Sequence, residues 1–135
     1  MATTKLYADE ELSPEAKEVF DDIRATRGSD FVNNVWRALA FDPVLLKRTW
    51  EQAKQIMGTP GTLDPLTREM IYIAVSVANG CPYCIHSHTA FARAKGMSDE
   101  QYAELMSIIA LASTTNALVQ GLQVPVDPEF DAARE

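Results

Sequence analysis

The sequence predicts an all-α fold, and three observations indicate it. Residues that cap helices stand directly before prolines, which favour the first helical turn, at Ser13-Pro14, Asp42-Pro43 and Asp64-Pro65. The segments after these signals carry apolar residues at every third or fourth position, which is the period of an α-helix. Glycines that can end a helix follow four of the predicted segments, at Gly28, Gly58, Gly80 and Gly96.

The first three predicted helices lie in the N-terminal half of the chain. The first begins after the Ser13 N-cap, ends at Gly28 and presents one apolar face, formed by Ala16, Val19, Phe20 and Ile23. A short second segment groups another set of apolar residues, Phe31, Val35, Trp36 and Leu39. A third helix opens at Asp42-Pro43, stops at Gly58 and carries the apolar stripe Leu46, Trp50, Ala53, Ile56 and Met57.

The fourth segment, Leu66 to Asn79, is apolar on nearly every side and is therefore expected to be a buried helix. Residues 71–77 are rich in residues that favour β-strands, so a strand remains an alternative there. A fifth helix is expected from about Cys81 to Lys95.

A sixth helix is expected to follow the capping box that begins at Ser98. Its predicted buried stripe is Tyr102, Leu105, Met106, Ile109 and Ala112. A separate last helical stretch is expected from Asn116 to Leu122, before a Pro-containing acidic tail.

Composition predicts one folded domain over residues 1–135, since 47% of the residues are hydrophobic and 23% are charged. The net charge of -7 argues against nucleic acid and anionic lipid as partners. Met1 to Glu10 lacks the pattern of a secretory signal, so a cytoplasmic location is expected. The apolar run Met70 to Ala78 is shorter than the roughly 20 residues that cross a bilayer, so no membrane span is expected.

The motif Cys81-Pro-Tyr-Cys84 carries most of the functional information. Two cysteines at this spacing indicate redox or metal chemistry in a cytoplasmic protein. Because the motif follows Asn79-Gly80, both thiols are expected in the first turn of the fifth helix. There the unpaired N–H groups and the helix dipole favour the thiolate, so a lowered cysteine pKa and a reactive thiol are predicted.

His88 and Glu69 are the residues expected to serve the cysteines. His88 lies one helical turn after Cys84 on the same face, whereas His86 points elsewhere and is expected at the surface. If the fourth and fifth helices form an antiparallel hairpin, Cys84, His88 and Glu69 lie roughly 5, 11 and 17 Å from its turn. This order predicts a proton relay from Glu69 through His88 to the thiol. The alternative is that Glu69 pairs with Arg68 or another basic residue.

Glu69, the cysteine pair and His88 together resemble the alkylhydroperoxidase D family within the carboxymuconolactone decarboxylase-like superfamily. The spacing that carries the resemblance is Glu69 twelve positions before Cys81, then Cys84, then His88 four positions later. The likeness covers roughly residues 30–127. The best studied branch has a histidine immediately before the second cysteine, where this chain has Tyr83. The lactone decarboxylase branch lacks the cysteine pair, so decarboxylation is not predicted.

The resemblance implies an all-helical bundle, assembly into trimers or hexamers, and a peroxidase that needs no cofactor and no metal. Its substrate would be a hydroperoxide and its reductant an external thiol or disulfide donor. The residue matching Cys84 would attack the peroxide and the one matching Cys81 would resolve the sulfenic acid as a disulfide. Glu69 and His88 match the family's relay.

Three competing interpretations remain at this point. The Cys-Pro-Tyr-Cys tetrapeptide also resembles glutaredoxin, which would require a strand at residues 71–77. Cys81, Cys84, His88 and Glu69 could instead bind zinc, although the chain holds only two cysteines and two histidines. Finally, the motif could be inactive in an assembly protein, whose Trp36, Trp50, Met57, Met70 and Met106 would be core or oligomer contacts.

Overall fold

The computed structural model describes residues 2–130, and these residues contain helices and no strand. The six α-helices are α1 Pro14–Arg27, α2 Asn34–Leu39, α3 Pro43–Ala53, α4 Pro65–Ala78, α5 Pro82–Ala94 and α6 Asp99–Gly121. The all-α prediction is therefore confirmed. Residues 71–77 lie inside α4, so the strand alternative, and with it the glutaredoxin fold, is wrong.

The chain divides into two compact units, and the first extends to Gly61. Its helices α1 and α3 begin where predicted, since the Ser13 and Asp42 side chains accept hydrogen bonds from the first-turn amides of α1 and α3. Its core contains the predicted face of α1 and both tryptophans. Trp36 and Trp50 meet edge to face with 5.4 Å between ring centroids. The indole N–H of Trp50 donates to Asp22 at 2.6 Å.

Two residues predicted to be buried in this unit are exposed. Phe31 precedes α2 and leaves 66% of its surface exposed, while the next residue, Val32, is buried. Ile56 is 58% exposed because α3 continues into a π-helical turn, Lys54–Gly58. The wider π turn rotates the following side chains off the stripe that a regular α-helix would have continued.

The second unit begins at Thr62 and contains α4, α5 and α6. Its buried core is small and consists of Ile73, Ala92 and Met97. Partly buried apolar residues surround it: Leu66, Met70, Val77, Tyr102, Leu105 and Met106. This core holds α4 against α5 and α6.

The connection between α4 and α5 is one tight, hydrogen-bonded turn. The amide of Gly80 donates to Val77 O, and the amide of Cys81 donates to Ser76 O, which together form a Schellman motif. Gly80 adopts φ +65°, in the left-handed region that the motif requires. Cys81 is at once the last residue of this motif and the N-cap of α5, so the end of α4 determines where the cysteine motif lies.

The expectation that α4 is buried on all sides is wrong for this chain by itself. Ile71, Tyr72 and Val75 are each more than 40% exposed, while Glu69, Ile73 and Ser76 are buried. The reason is that α5 and α6 cover one side of α4 only.

Helix α6 also differs from its prediction. The capping box at Ser98 is present, but the helix runs unbroken to Gly121, so Asn116 to Leu122 is not a separate element. None of its residues is fully buried, and Ala112 is exposed. By length and composition alone α6 could also cross a membrane, which was not anticipated from the sequence.

Replacing Gly80 with alanine should destabilise the protein by about 1 kcal/mol, because an L-residue at φ +65° is strained although the added Cβ has open space. Gly121→Ala is the matched control. Gly121 lies at the end of α6 with open space and no positive φ, so alanine should raise stability by about 0.5 kcal/mol. Urea unfolding of both variants checks the prediction, and equal effects would contradict it.

Candidate active site

The two cysteines occupy different positions at the start of α5. Cys81 is the N-cap, and its sulfur accepts a hydrogen bond from the amide of Cys84 at 3.3 Å. Cys84 lies two residues after Pro82, the first residue of the helix. Both thiols are free and partly exposed. The sequence therefore placed both residues correctly in the first turn.

The electrostatic environments of the two thiols are opposite. Hydrogen bonds from the Cys84 thiol and amide lower the pKa of Cys81 below the ordinary value of 9.0. Burial, together with the neighbouring Cys81 sulfur, raises the pKa of Cys84 to about 11. The predicted lowering of the thiol pKa is thus correct for Cys81 and wrong for Cys84. The reason is that the Cys84 amide donates its hydrogen bond to the N-cap sulfur of Cys81. In the reduced pair, Cys81 is therefore the more acidic thiol.

A buried carboxylate faces the cysteine helix from α4. Glu69 is only 4% exposed, and its Oε2 lies 2.6 Å from His88 Nδ1 on α5. The hairpin geometry predicted from the sequence is therefore correct in bringing Glu69 and His88 into direct contact.

The second oxygen of Glu69 has a partner that the sequence did not single out. Lys95 Nζ donates to Glu69 Oε1 at 2.9 Å. Burial raises the pKa of the Glu69 carboxyl, but the hydrogen bonds from His88 and Lys95 outweigh it, so the pKa lies below the ordinary 4.5. Glu69 is thus ionised and can only accept the hydrogen bond to His88. The Nδ1 atom of the imidazole is therefore assigned a hydrogen. Arg68 donates to Leu63 O, so the basic partner of Glu69 is Lys95.

Two aromatic rings enclose the imidazole. Tyr72 stacks on His88 with 3.6 Å between ring centroids and 20° between planes, and Phe91 meets it edge-on at 5.5 Å. Burial and the nearby charges of Cys84, Cys81 and Glu69 raise the pKa of the Tyr72 phenol, so it stays protonated. Tyr72 was missed at the sequence level, although its place three residues after Glu69 puts both on one face of α4.

Some expected relations are not present. Among the hydrogen bonds of residues 2–130, none joins His88 to Cys84. His86 is exposed, as predicted. Within the same residues no group of three or more His, Cys, Asp or Glu side chains is arranged to hold a metal ion, so the geometry does not favour the zinc interpretation.

Fold and site together define an all-helical protein with a Cys-x-x-Cys pair at a helix start and a buried Glu–His pair beside that helix. Comparison with known proteins gives the family. The model of the carboxymuconolactone decarboxylase family matches residues 43–127, and the chain belongs to this family. Within it, the chain resembles the alkylhydroperoxidase D proteins.

A solved structure supports this placement. The crystal structure of the alkylhydroperoxidase AhpD core from Rhodospirillum rubrum superposes with a TM-score of 0.94 at 67% identity, covering 96% of this chain and 97% of that one. The alkyl hydroperoxide reductase AhpD of Solibacter usitatus is 38% identical over 74 residues, which are 55% of this chain and 40% of that protein. That of Maricaulis maris is 31% identical over 125 residues, covering 87% of this chain and 66% of the relative. The chain thus matches only part of the length of these two reductases.

Iodoacetamide should alkylate Cys81 about tenfold faster than Cys84 at pH 7. Their pKa values differ by more than two, below 9.0 against about 11, and the lower nucleophilicity of the more acidic thiolate offsets about half of the gain. Peptide mass mapping over time measures both rates. In Cys81→Ser, Cys84 should react faster than in the wild type, because the neighbouring Cys81 sulfur that raises its pKa is gone. Equal rates in the wild type would contradict the assignment.

Glu69→Gln should lower the free energy of unfolding by about 2 kcal/mol at pH 7, because a charged acceptor inside the protein is lost. The pKa of Glu69 is lowered on folding, so its contribution is present above pH 4.5 and disappears as the pH falls through the folded value. The difference from wild type should therefore shrink below pH 4.5. Exposed Glu18→Gln is the control, with little effect at any pH. A difference that stays constant with pH would contradict this account.

Proposed function

We propose that this protein is a thiol-dependent peroxidase that reduces alkyl hydroperoxides through Cys81 and Cys84, with Glu69 and His88 as a proton relay. One observation carries the proposal: a Cys-x-x-Cys pair at a helix start, followed one turn later by a histidine that a buried carboxylate orients. The names of the similar proteins, alkylhydroperoxidase and alkyl hydroperoxide reductase, support the same chemistry. The reductant is an external thiol or disulfide donor.

The relay explains how Cys84 can react although it keeps its proton at neutral pH. Glu69 accepts the Nδ1 hydrogen of His88, which leaves Nε2 free to act as a base. His88 lies one helical turn from Cys84, on the same side of α5. Because no hydrogen bond joins them in the free protein, the proton moves through a water molecule or after rotation of a side chain in the substrate complex.

The reaction balances with two thiols and one hydroperoxide. His88 takes the Cys84 proton, and the Cys84 sulfur attacks the terminal peroxide oxygen, so that an S–O bond forms and the O–O bond breaks. The departing alkoxide takes the proton from His88 and leaves as an alcohol. Cys81 then gives up its proton and its sulfur attacks the Cys84 sulfenic acid, so that the S–S bond forms and the S–O bond breaks. The hydroxyl leaves as water with the proton that Cys81 gave up. The external reductant returns the disulfide to two thiols.

We also propose that the protein is a homo-oligomer, a trimer or a hexamer. The support is the apolar surface that α4 and α6 leave exposed in a single chain. It includes Ile71 and Val75 of α4 and Ile108, Leu111, Leu118 and Val119 of α6.

A stoichiometric pulse of an organic hydroperoxide tests the proposal when intact mass and free thiols are measured before and after it. Wild type should lose two hydrogens and both thiols, because a disulfide forms. Cys81→Ser should accumulate an oxidised Cys84, because the sulfenic acid has no resolving partner. Cys84→Ser should react at least 100-fold more slowly than wild type.

The two single variants also separate the alternatives. Oxidation confined to Cys81 in Cys84→Ser would reverse the roles of the cysteines, with the Cys81 thiolate as the attacking group. If no form reacts faster than a free thiol in solution, the peroxidase proposal fails. If Cys81 then exchanges rapidly with a disulfide substrate, the protein is a disulfide oxidoreductase instead of a peroxidase.

A further inference from the structure

The buried carboxylate of Glu69 has two oxygens, and each has its own partner. Oε2 takes the hydrogen bond of His88 Nδ1 at 2.6 Å, and Oε1 takes that of Lys95 Nζ at 2.9 Å. Only 4% of Glu69 is exposed, so water contributes little to its solvation. Without a cation, a carboxyl group in this position would favour its neutral form.

The backbone of Lys95 is fixed at a position from which its ammonium reaches the Glu69 carboxylate. Lys95 is the C-cap of α5, and the Schellman motif that ends the helix fixes its backbone, with Met97 N donating to Ala92 O and Gly96 at φ +95°. Its ammonium lies 5.7 Å from the centre of the Phe91 ring. Lys95 follows His88 by seven residues, two helical turns, so both side chains reach α4 from one face of α5.

We propose that Lys95 is a positioning residue of this site: its charge keeps Glu69 ionised, so that Glu69 accepts the His88 Nδ1 hydrogen and the imidazole presents an unprotonated Nε2. The inference rests on the proposed function and adds a third member to its relay. A protonated Glu69 could instead donate to Nδ1, and the proton of the neutral imidazole would then sit on Nε2, where it blocks the base.

The side chains that face Glu69 determine at which pH the Glu69–His88 pair takes up a proton. His88 and Lys95 approach it from α5, and Tyr72 lies on α4 itself. Helix α6, the other helix packed on α4, brings no charged side chain to Glu69 among the residues described. Removing the Lys95 charge therefore makes the Glu69–His88 pair bind its additional proton at higher pH.

The experiment compares Lys95→Met, which keeps the length of the side chain without its charge, with Lys95→Arg, which keeps the charge. Lys17→Gln is the control, since Lys17 forms an exposed ion pair with Asp21. Two readouts are used. One is the pH profile of peroxide-driven disulfide formation, and the other is ¹⁵N NMR of the imidazole in a His86→Gln background, where His88 is the one remaining histidine.

In Lys95→Met the acid limb of the rate profile should move up by about one pH unit, so that the rate on that limb falls about tenfold. The His88 titration should move in the same direction. Lys95→Arg should stay close to wild type in both readouts, and Lys17→Gln should overlay wild type.

The inference is overturned if a folded Lys95→Met gives the wild-type His88 titration and tautomer, or if a folded Lys95→Arg behaves like Lys95→Met. A loss of rate that is equal at every pH would likewise indicate a packing role and overturn it. Should Lys95→Met fail to fold, Lys95→Gln carries the same test. If wild type lacks peroxidase activity, the proposed function fails, whereas the NMR titration still decides the role of Lys95.

Discussion

The second unit depends on one constraint, the burial of the Glu69 carboxylate between α4 and α5. A carboxylate removed from water is tolerated only when its oxygens are hydrogen-bonded and its charge is balanced. Both partners come from α5, at His88 and at Lys95 two turns further on. Two contacts on one helix determine how far α5 extends along α4 and which face it presents. The carboxylate thus sets the register of the hairpin as well as the orientation of the histidine.

The turn at the other end of the hairpin is equally constrained. Since Cys81 is both the last residue of the α4 Schellman motif and the N-cap of α5, the cysteine motif cannot shift along either helix. The N-cap position also makes the two thiols unequal. The Cys84 amide donates a hydrogen bond to the Cys81 sulfur, whereas burial and the neighbouring Cys81 raise the pKa of Cys84. Two residues of the same type are therefore chemically unequal, since Cys81 is the more acidic thiol and Cys84 needs a base to react.

The two units differ in how completely they bury their apolar residues. The first encloses a core around Phe20, Trp36 and Trp50, whereas the second buries few large side chains and leaves apolar residues of α4 and α6 exposed. Large contiguous apolar patches on a protein surface mark sites of association. The contacts of Glu69 with His88 and Lys95 lie within one chain, and the exposed apolar residues of α4 and α6 are the observation on which the homo-oligomer proposal rests.

The sequence by itself determined where α1, α3, α4, α5 and α6 begin, the placement of both cysteines, and the candidates His88 and Glu69. These follow from local physics: a cap acts within one turn, and helical periodicity places residues three or four apart on one face. Tertiary structure alone decided that Lys95 completes the Glu69 site, that Tyr72 stacks on the imidazole and that α4 stays half exposed. Those outcomes depend on how each helix is rotated against its neighbours. Contacts between residues far apart in the sequence set that rotation, and caps and helical periodicity carry no information about it.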